Sequence, residues 1–468
     1  MNFPGRKICC FLFLVCAAES AEASGKFHEL SREYASRLTI PGIAYVVVRD
    51  GKVIEQGAQG LATNTPLRFA SVTKAFTAVL LMRAVESGKI SLDDSVSKWL
   101  PDFADRPQIK VRHLAAHVSE GHPGTEYVYS TSRFARLGGI LAKAWNTPDY
   151  ETALRREVIE KAGLSWHESP GLGAHAALVS TVDDVARFAI ALQSHKLITP
   201  ASFDIMTTPF KAHSGSLLPA AVGFFSQDIG GERVVWSFGQ DDPEYGSALL
   251  LMVPKRNLAL VMLANTDELS NPFRLLMGNL RLSPFATAFL DSHAPELGAD
   301  IGQRDRAITS MLVSLATEQA PEAIERFTAF AQHDASVSPD DFGLHFIAGV
   351  LGSQLPRAFC EKLDDAVVGA HPQNRWALLM SGGLNTQLGE PERAISRYET
   401  LLALPHQEPD GLRTLFRAWA YSGLAAVVKD TDPARARRYV DEGLATGVTG
   451  GTRNGLLQMQ KSLDPGPR

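Results

Sequence analysis

Ser71 and Lys74 stand three residues apart at the start of an apolar run, Phe69 to Leu81, that predicts a buried helix. A spacing of three puts both side chains on one helical face, within reach of each other. A serine hydroxyl becomes a competent nucleophile when a neighbour takes its proton, and lysine can do so only if burial or nearby positive charge depresses its pKa. Phe69, Ala70, Ala75, Phe76, Ala78, Val79, Leu80 and Leu81 supply the apolar flanks for that. A serine at a helix N-terminus can also offer its own backbone N–H to a developing oxyanion. The competing reading is an N-cap serine followed by a solvated lysine, and the chain holds a second Ser-x-x-Lys at Ser95 and Lys98. That copy lies between Asp93-Asp94 and Trp99-Leu100-Pro101, a polar stretch ended by proline, and reads as surface.

Two further spacings invite chemistry and carry less. His113 and His117 sit four apart and could share a helix face as metal ligands, yet the pattern lacks the intervening glutamate of metalloproteases. Helical and core histidines are the commoner case, so no metal is expected. His117-Val118-Ser119-Glu120-Gly121 nearly copies a nucleophile elbow, but it lacks the first glycine and the strand before it.

The elements that must position Ser71 follow from periodicity and turn chemistry. A short helix is expected over Phe27 to Arg37, then a hairpin from Ile43 to Gly57 turning at Asp50-Gly51, whose residues tolerate the positive φ of a tight turn. The Ser71 helix runs to about Glu86 and stops at Gly88. From Leu92 to about Pro219 the pattern is mainly helical, and Thr181 with Asp184 fits a capping box. Gly223 to Asp228, Arg233 to Phe238, Ser247 to Val253 and Asn257 to Leu263 are β-rich runs separated by turn residues, an antiparallel meander. A helix over Phe273 to Leu290 closes the domain. Two early strands, a helical insertion and several late strands imply one α+β domain over 24–295, an antiparallel sheet flanked by helices.

Beyond Pro295 the composition shifts to Ala, Leu, Arg and Glu at helical spacing, which predicts an all-α helical-hairpin domain over 296–468. Leu378, Gly382, Leu388-Gly389, Ala394, Tyr398, Leu402 and Pro405 fall at roughly the spacings of a tetratricopeptide repeat, with a weaker unit over Leu412 to Leu444. Such a domain could serve a protein partner, or be a helical-hairpin domain without recognition function.

The 468 residues suffice for two or three domains with full cores. A net charge of -5 gives no reason to expect nucleic acid as partner. Arg6-Lys7, the apolar run Ile8 to Ala18 and Ala21-Glu22-Ala23 have the order of a secretory signal peptide over 1–23, so export to the periplasm or medium is expected. Cys9, Cys10 and Cys16 lie in that leader, which leaves Cys360 without an intramolecular disulfide partner in the mature chain.

Taken together, residues 27 to 290 resemble the serine β-lactamase and penicillin-binding-protein superfamily, and more narrowly its serine hydrolase and esterase relatives. Ser71-Val72-Thr73-Lys74 is similar to its nucleophile motif. Val111 to Ser119 resembles its Arg-x-Leu-Leu-x-His-Thr-Ser segment, and Pro123-Gly124 followed by Tyr127-Val128-Tyr129-Ser130 resembles its second motif. The resemblance implies an acylated Ser71, Lys74 as its base and Tyr129 as a second proton-transfer group. It also implies an oxyanion hole from the backbone N–H groups of Ser71 and Gln240, and no cofactor.

Two positions depart from the pattern. Thr131 stands where the second motif has asparagine, losing the paired donor and acceptor of an amide. Trp236-Ser237-Phe238-Gly239-Gln240 keeps the glycine of the third motif, but Ser237 replaces the cation that would hold a substrate carboxylate. A small-molecule or peptide ester or amide is therefore the expected substrate. The alternatives are a β-lactamase or D-alanyl-D-alanine carboxypeptidase, or a non-catalytic scaffold with a decayed site. A drifting site has little reason to keep a lysine in an apolar pocket, which favours the hydrolase.

Overall fold

A computed structural model describes residues 25–167, 171, 173–176, 178–240, 246–317, 325, 357–405 and 410–463. The expected leader over 1–23 lies outside them. The chain divides into two compact units that cut across the sequence-based boundary at 295. One comprises the described residues up to Ser87, Thr147–Thr208 and Gly223–Val313. The other comprises Gly88–Asn146, Pro209–Val222 and the described part of Ser314–Arg468, so the first helical insertion groups with the C-terminal helices.

The first unit opens with the expected helix α1 over 25–37. The hairpin follows as β1 (Ile43–Arg49) and β2 (Lys52–Gln59), and its turn residues Asp50 and Gly51 adopt φ of 50° and 73°. A two-stranded ribbon pairs β3 (Leu67–Arg68) with β4 (Val179–Ser180). The meander comprises β5 (Phe225–Ile229), β6 (Glu232–Gln240), β7 (Ser247–Val253) and β8 (Leu258–Ala264). All six long strands form one antiparallel sheet in the order β2-β1-β8-β7-β6-β5. Pairing of Ile43 with Ala264 and Arg49 with Leu258 joins the early strands to the late ones, as an α+β domain split in sequence requires.

Against this sheet lies α2 (Thr73–Glu86), buried continuously from Thr73 through Met82. A helix apolar on every side has to sit inside a core, which explains why this run carries no polar face. Phe76 on α2 stacks on Phe188 of the helix Val182–Gln193 with ring centroids 3.8 Å apart. That helix begins at the expected cap, where Thr181 Oγ1 accepts the Asp184 N–H at 3.0 Å.

One element differs from expectation. The run Phe273 to Leu290 is not one helix but two single 3-10 turns, Leu275–Met277 and Leu280–Leu282, followed by the helix Pro284–His293. Gly278 at φ 82° breaks the path, and Pro284 restarts it with Ser283 Oγ accepting the Ala286 N–H.

In the second unit, α3 (Val111–Ala115) and α4 (Thr131–Ala135) belong to the insertion. The C-terminal part is helical, with Arg375–Gln387 against Pro391–Ala403, and Asp410–Val428 against Pro433–Ala445, before a last helix Gly450–Leu463. Leu378, Ala394 and Tyr398 share one buried cluster. Gly382 and Gly423 make room for Tyr398, since a Cβ on either would lie 2.5 or 2.2 Å from its ring. Cys360 is a buried free thiol, and burial raises its pKa.

Candidate active site

Ser71 occupies a 3-10 turn, Ala70–Val72, that leads directly into α2. The turn begins with Ala70 at φ 43°, a left-handed conformation that an alanine adopts only when its surroundings impose it. Thr73 supplies the constraint: its Oγ1 donates to the Ala70 carbonyl at 2.6 Å and accepts the Leu178 N–H at 3.0 Å. Phe69 N–H donates to the Leu178 carbonyl at 2.8 Å, so both ends of the turn are tied to one residue, Leu178, which immediately precedes β4.

One helical turn on, Lys74 Nζ lies 2.7 Å from Ser71 Oγ and donates to the His175 carbonyl at 2.8 Å. Lys74 is 3% exposed, and that burial pushes its pKa from an ordinary 10.5 down to about 7. Near neutral pH a large fraction of Lys74 is then a free amine, and the 2.7 Å contact can run in reverse, with the Ser71 O–H donating to Nζ. Burial and the neighbouring Lys74 also lower the His175 pKa, which keeps that imidazole neutral.

The inner strand β6 packs against the Ser71 turn. Contact is close at Gly239, where a Cβ would stand 2.4 Å from the Phe69 carbonyl oxygen. Only glycine lets the strand approach this far. Ser237 lies two residues before it on the same face, and Gln240 follows. Ser270 Oγ donates to the Gly239 carbonyl at 2.7 Å and fixes that end of the strand. The structure thus brings Ser71, Lys74, Ser237, Gly239 and Gln240 together on one unit.

Tyr129 and Thr131 belong to the other unit. The Tyr129 ring stacks on His117, with centroids 4.3 Å apart. His117 Nδ1 accepts the Ser130 N–H at 3.1 Å, and its carbonyl accepts the Val128 N–H at 2.9 Å. His113 Nδ1 likewise accepts the Lys110 N–H at 3.2 Å, and burial lowers its pKa to about 4. Both Nδ1 atoms thus accept backbone N–H groups, and His117, at φ 55° beyond the end of α3, does not share a helix with His113. Thr131 is exposed at the first position of α4.

The second Ser-x-x-Lys is a surface cap. Ser95 Oγ accepts the Ser97 N–H, and Lys98, 59% exposed on its side chain, pairs with Asp94 at 3.0 Å. Sequence reasoning missed the His175 carbonyl as the second partner of Lys74; a backbone acceptor carries no residue signature that could have revealed it.

A family model described as Beta-lactamase matches residues 27–276. The esterase EstB of Burkholderia gladioli is 34% identical over 121 residues, covering 23% of this chain and 30% of that protein. Protein flp of Staphylococcus aureus (strain MW2) is 22% identical over 318 residues, covering 49% of this chain and 60% of that protein. The chain thus spans less than two thirds of the length of these curated relatives. The octameric penicillin-binding protein homologue from Pyrococcus abyssi shares the fold at a TM-score of 0.51 and 18% identity, over 63% of this chain and 82% of that one.

Proposed function

The chain belongs to the beta-lactamase family, and on that premise we propose that it is a serine hydrolase acting through an acyl-enzyme at Ser71, with esters as its preferred substrates. Ser71 Oγ attacks the acyl carbonyl carbon while its proton passes to Lys74 Nζ, and the carbonyl π pair moves to oxygen. The backbone N–H groups of Ser71 and Gln240 receive that oxyanion. As the intermediate collapses, Tyr129, the group the family resemblance assigns to this step, passes its hydroxyl proton to the leaving alkoxide and takes the Lys74 proton in exchange, so Lys74 is a free amine again and the acyl group remains on Ser71. Water, deprotonated by Lys74, then attacks the acyl carbon, and as the bond to Ser71 Oγ breaks Lys74 returns the proton to that oxygen, releasing the acid and restoring the serine.

The single observation that carries the reading is a buried Lys74 at a pKa of about 7, 2.7 Å from Ser71 Oγ. A lysine elsewhere on a helix would be charged at neutral pH and useless as a base. Preference for esters over β-lactams or acyl-D-alanyl peptides rests on Ser237, which offers no charge to a substrate carboxylate, and on Thr131. The basic, apolar, Ala-x-Ala order of residues 1–23 supports export.

The test compares short p-nitrophenyl esters with a chromogenic β-lactam, using wild type and Ser71→Ala. Ester turnover that depends on Ser71 and exceeds β-lactam turnover in kcat/KM supports the reading. Rapid β-lactam hydrolysis with no ester turnover would replace it with a β-lactamase or carboxypeptidase.

A further inference from the structure

We infer that the C-terminal helical region is a positioning element for Tyr129, acting through a buried Glu120–Arg133 pair that the last helix braces. The inference rests on the role proposed above for Tyr129, and its own geometry lies within one unit. Glu120 and Arg133 are 5% and 4% exposed on their side chains, and Arg133 Nε donates to Glu120 Oε1 at 3.3 Å. The same Oε1 accepts the Ser130 hydroxyl at 2.9 Å. One carboxylate therefore holds the residue next to Tyr129 and the third residue of α4.

That carboxylate is seated by the far end of the chain. Arg133 Nη2 donates to Thr449 Oγ1 at 3.0 Å, across 316 residues of sequence. Gly450, the first residue of the last helix, has φ 70°, and a Cβ there would stand 2.2 Å from Glu120 Oε2. Glycine at this place leaves room for the carboxylate, which meets the positive end of the helix. Apolar packing adds a second, independent tie: Val128 packs on the cluster of Leu415, Val440 and Leu456 from the C-terminal helices and Val448 from the connection before the last one. Tyr129 is thus flanked on one side by Val128, held to the C-terminal core, and on the other by Ser130, held to Glu120.

Buried charge pairs seldom repay their desolvation as stability, so geometry is the better account of why this one is built. Removing one partner outright would leave an uncompensated buried charge and could unfold the insertion. Gly450→Ala is the gentler probe, because it displaces Glu120 from Ser130 without removing any charge.

The experiment uses the full chain as wild type, Gly450→Ala, Tyr129→Phe and the double variant. Amide hydrogen exchange over 117–134, thermal melting and p-nitrophenyl acetate kinetics are recorded for each. We expect Gly450→Ala to melt as a folded protein, to exchange at least tenfold faster over 126–131, and to lose roughly tenfold in kcat at little changed KM. In the Tyr129→Phe background the same change should cost no further kcat, since both act through one group. Wild-type exchange over 126–131, or a kcat loss that adds fully to that of Tyr129→Phe, overturns the inference. Absence of Ser71-dependent turnover in the wild type would instead sink the hydrolase reading, and the exchange data would still decide whether the last helix braces the segment.

Discussion

Replacing Lys74 by methionine removes a buried ammonium while keeping its length and its apolar stem. The pKa of Lys74 falls from 10.5 to about 7 because burial disfavours the charged form. That shift of about 3.5 units corresponds to about 5 kcal/mol of destabilisation when the group is charged. The sign follows from proton counting. Between pH 7 and 10.5 the unfolded chain holds a proton on this lysine that the folded chain has released, so stability rises with pH across that window. The penalty is complete below about 7 and absent above about 10.5.

The variant lacks this dependence, but it also lacks the bonds to Ser71 Oγ and the His175 carbonyl, which together contribute about 2 to 4 kcal/mol. Lys74→Met should therefore be inactive yet more stable than wild type by about 1 to 3 kcal/mol near pH 6, and less stable by about 1 to 3 kcal/mol near pH 10, where about 1 kcal/mol of the burial penalty remains. Urea unfolding of both proteins from pH 6 to 10 reads the crossing, and wild-type ester turnover should climb through a limb near 7. A stability difference that stays constant with pH would refute the burial argument, and with it the case for Lys74 as a base.

Other expectations are more local. Tyr129→Phe removes one hydroxyl and should cost about 100-fold in ester kcat with KM and melting temperature nearly unchanged, measured by steady-state kinetics beside a thermal melt. Gly239→Ala forces a Cβ toward the Phe69 carbonyl at 2.4 Å, so acylation should slow by about 100-fold or more through loss of oxyanion contacts, which a burst experiment would show. Changing Ser95 and Lys98 together to alanine should leave turnover at the wild-type value. Only the cap and a surface ion pair are lost, at about 1 to 2 kcal/mol in a denaturation curve.

The buried contact between Ser71 and Lys74 was readable because two rules coincide there: a helical spacing of three, and flanks too apolar for a surface helix. Ser95 and Lys98 share the spacing without those flanks, and they lie on the surface. The hairpin and meander were readable from Asp50-Gly51 and from apolar runs of strand length. The turns at Leu275–Met277 and Leu280–Leu282 were not, because Gly278 and Pro284 act on backbone dihedrals while the hydrophobic pattern continues unbroken. His113 and His117 showed a helical spacing that suits a metal, whereas their Nδ1 atoms hold the Lys110 and Ser130 N–H groups. Glu120 and Arg133 gave no local signal at all, since their meaning depends on Thr449 and Gly450 at the other end of the chain.

The central claim is a nucleophilic Ser71 activated by Lys74. A fluorophosphonate probe, incubated with wild type and Ser71→Ala and followed by peptide mapping, tests it most directly. A single adduct on Ser71, forming faster as pH rises through about 7 and absent from the variant, is the predicted result. Equal labelling of the two proteins, or an adduct on another serine, would contradict it.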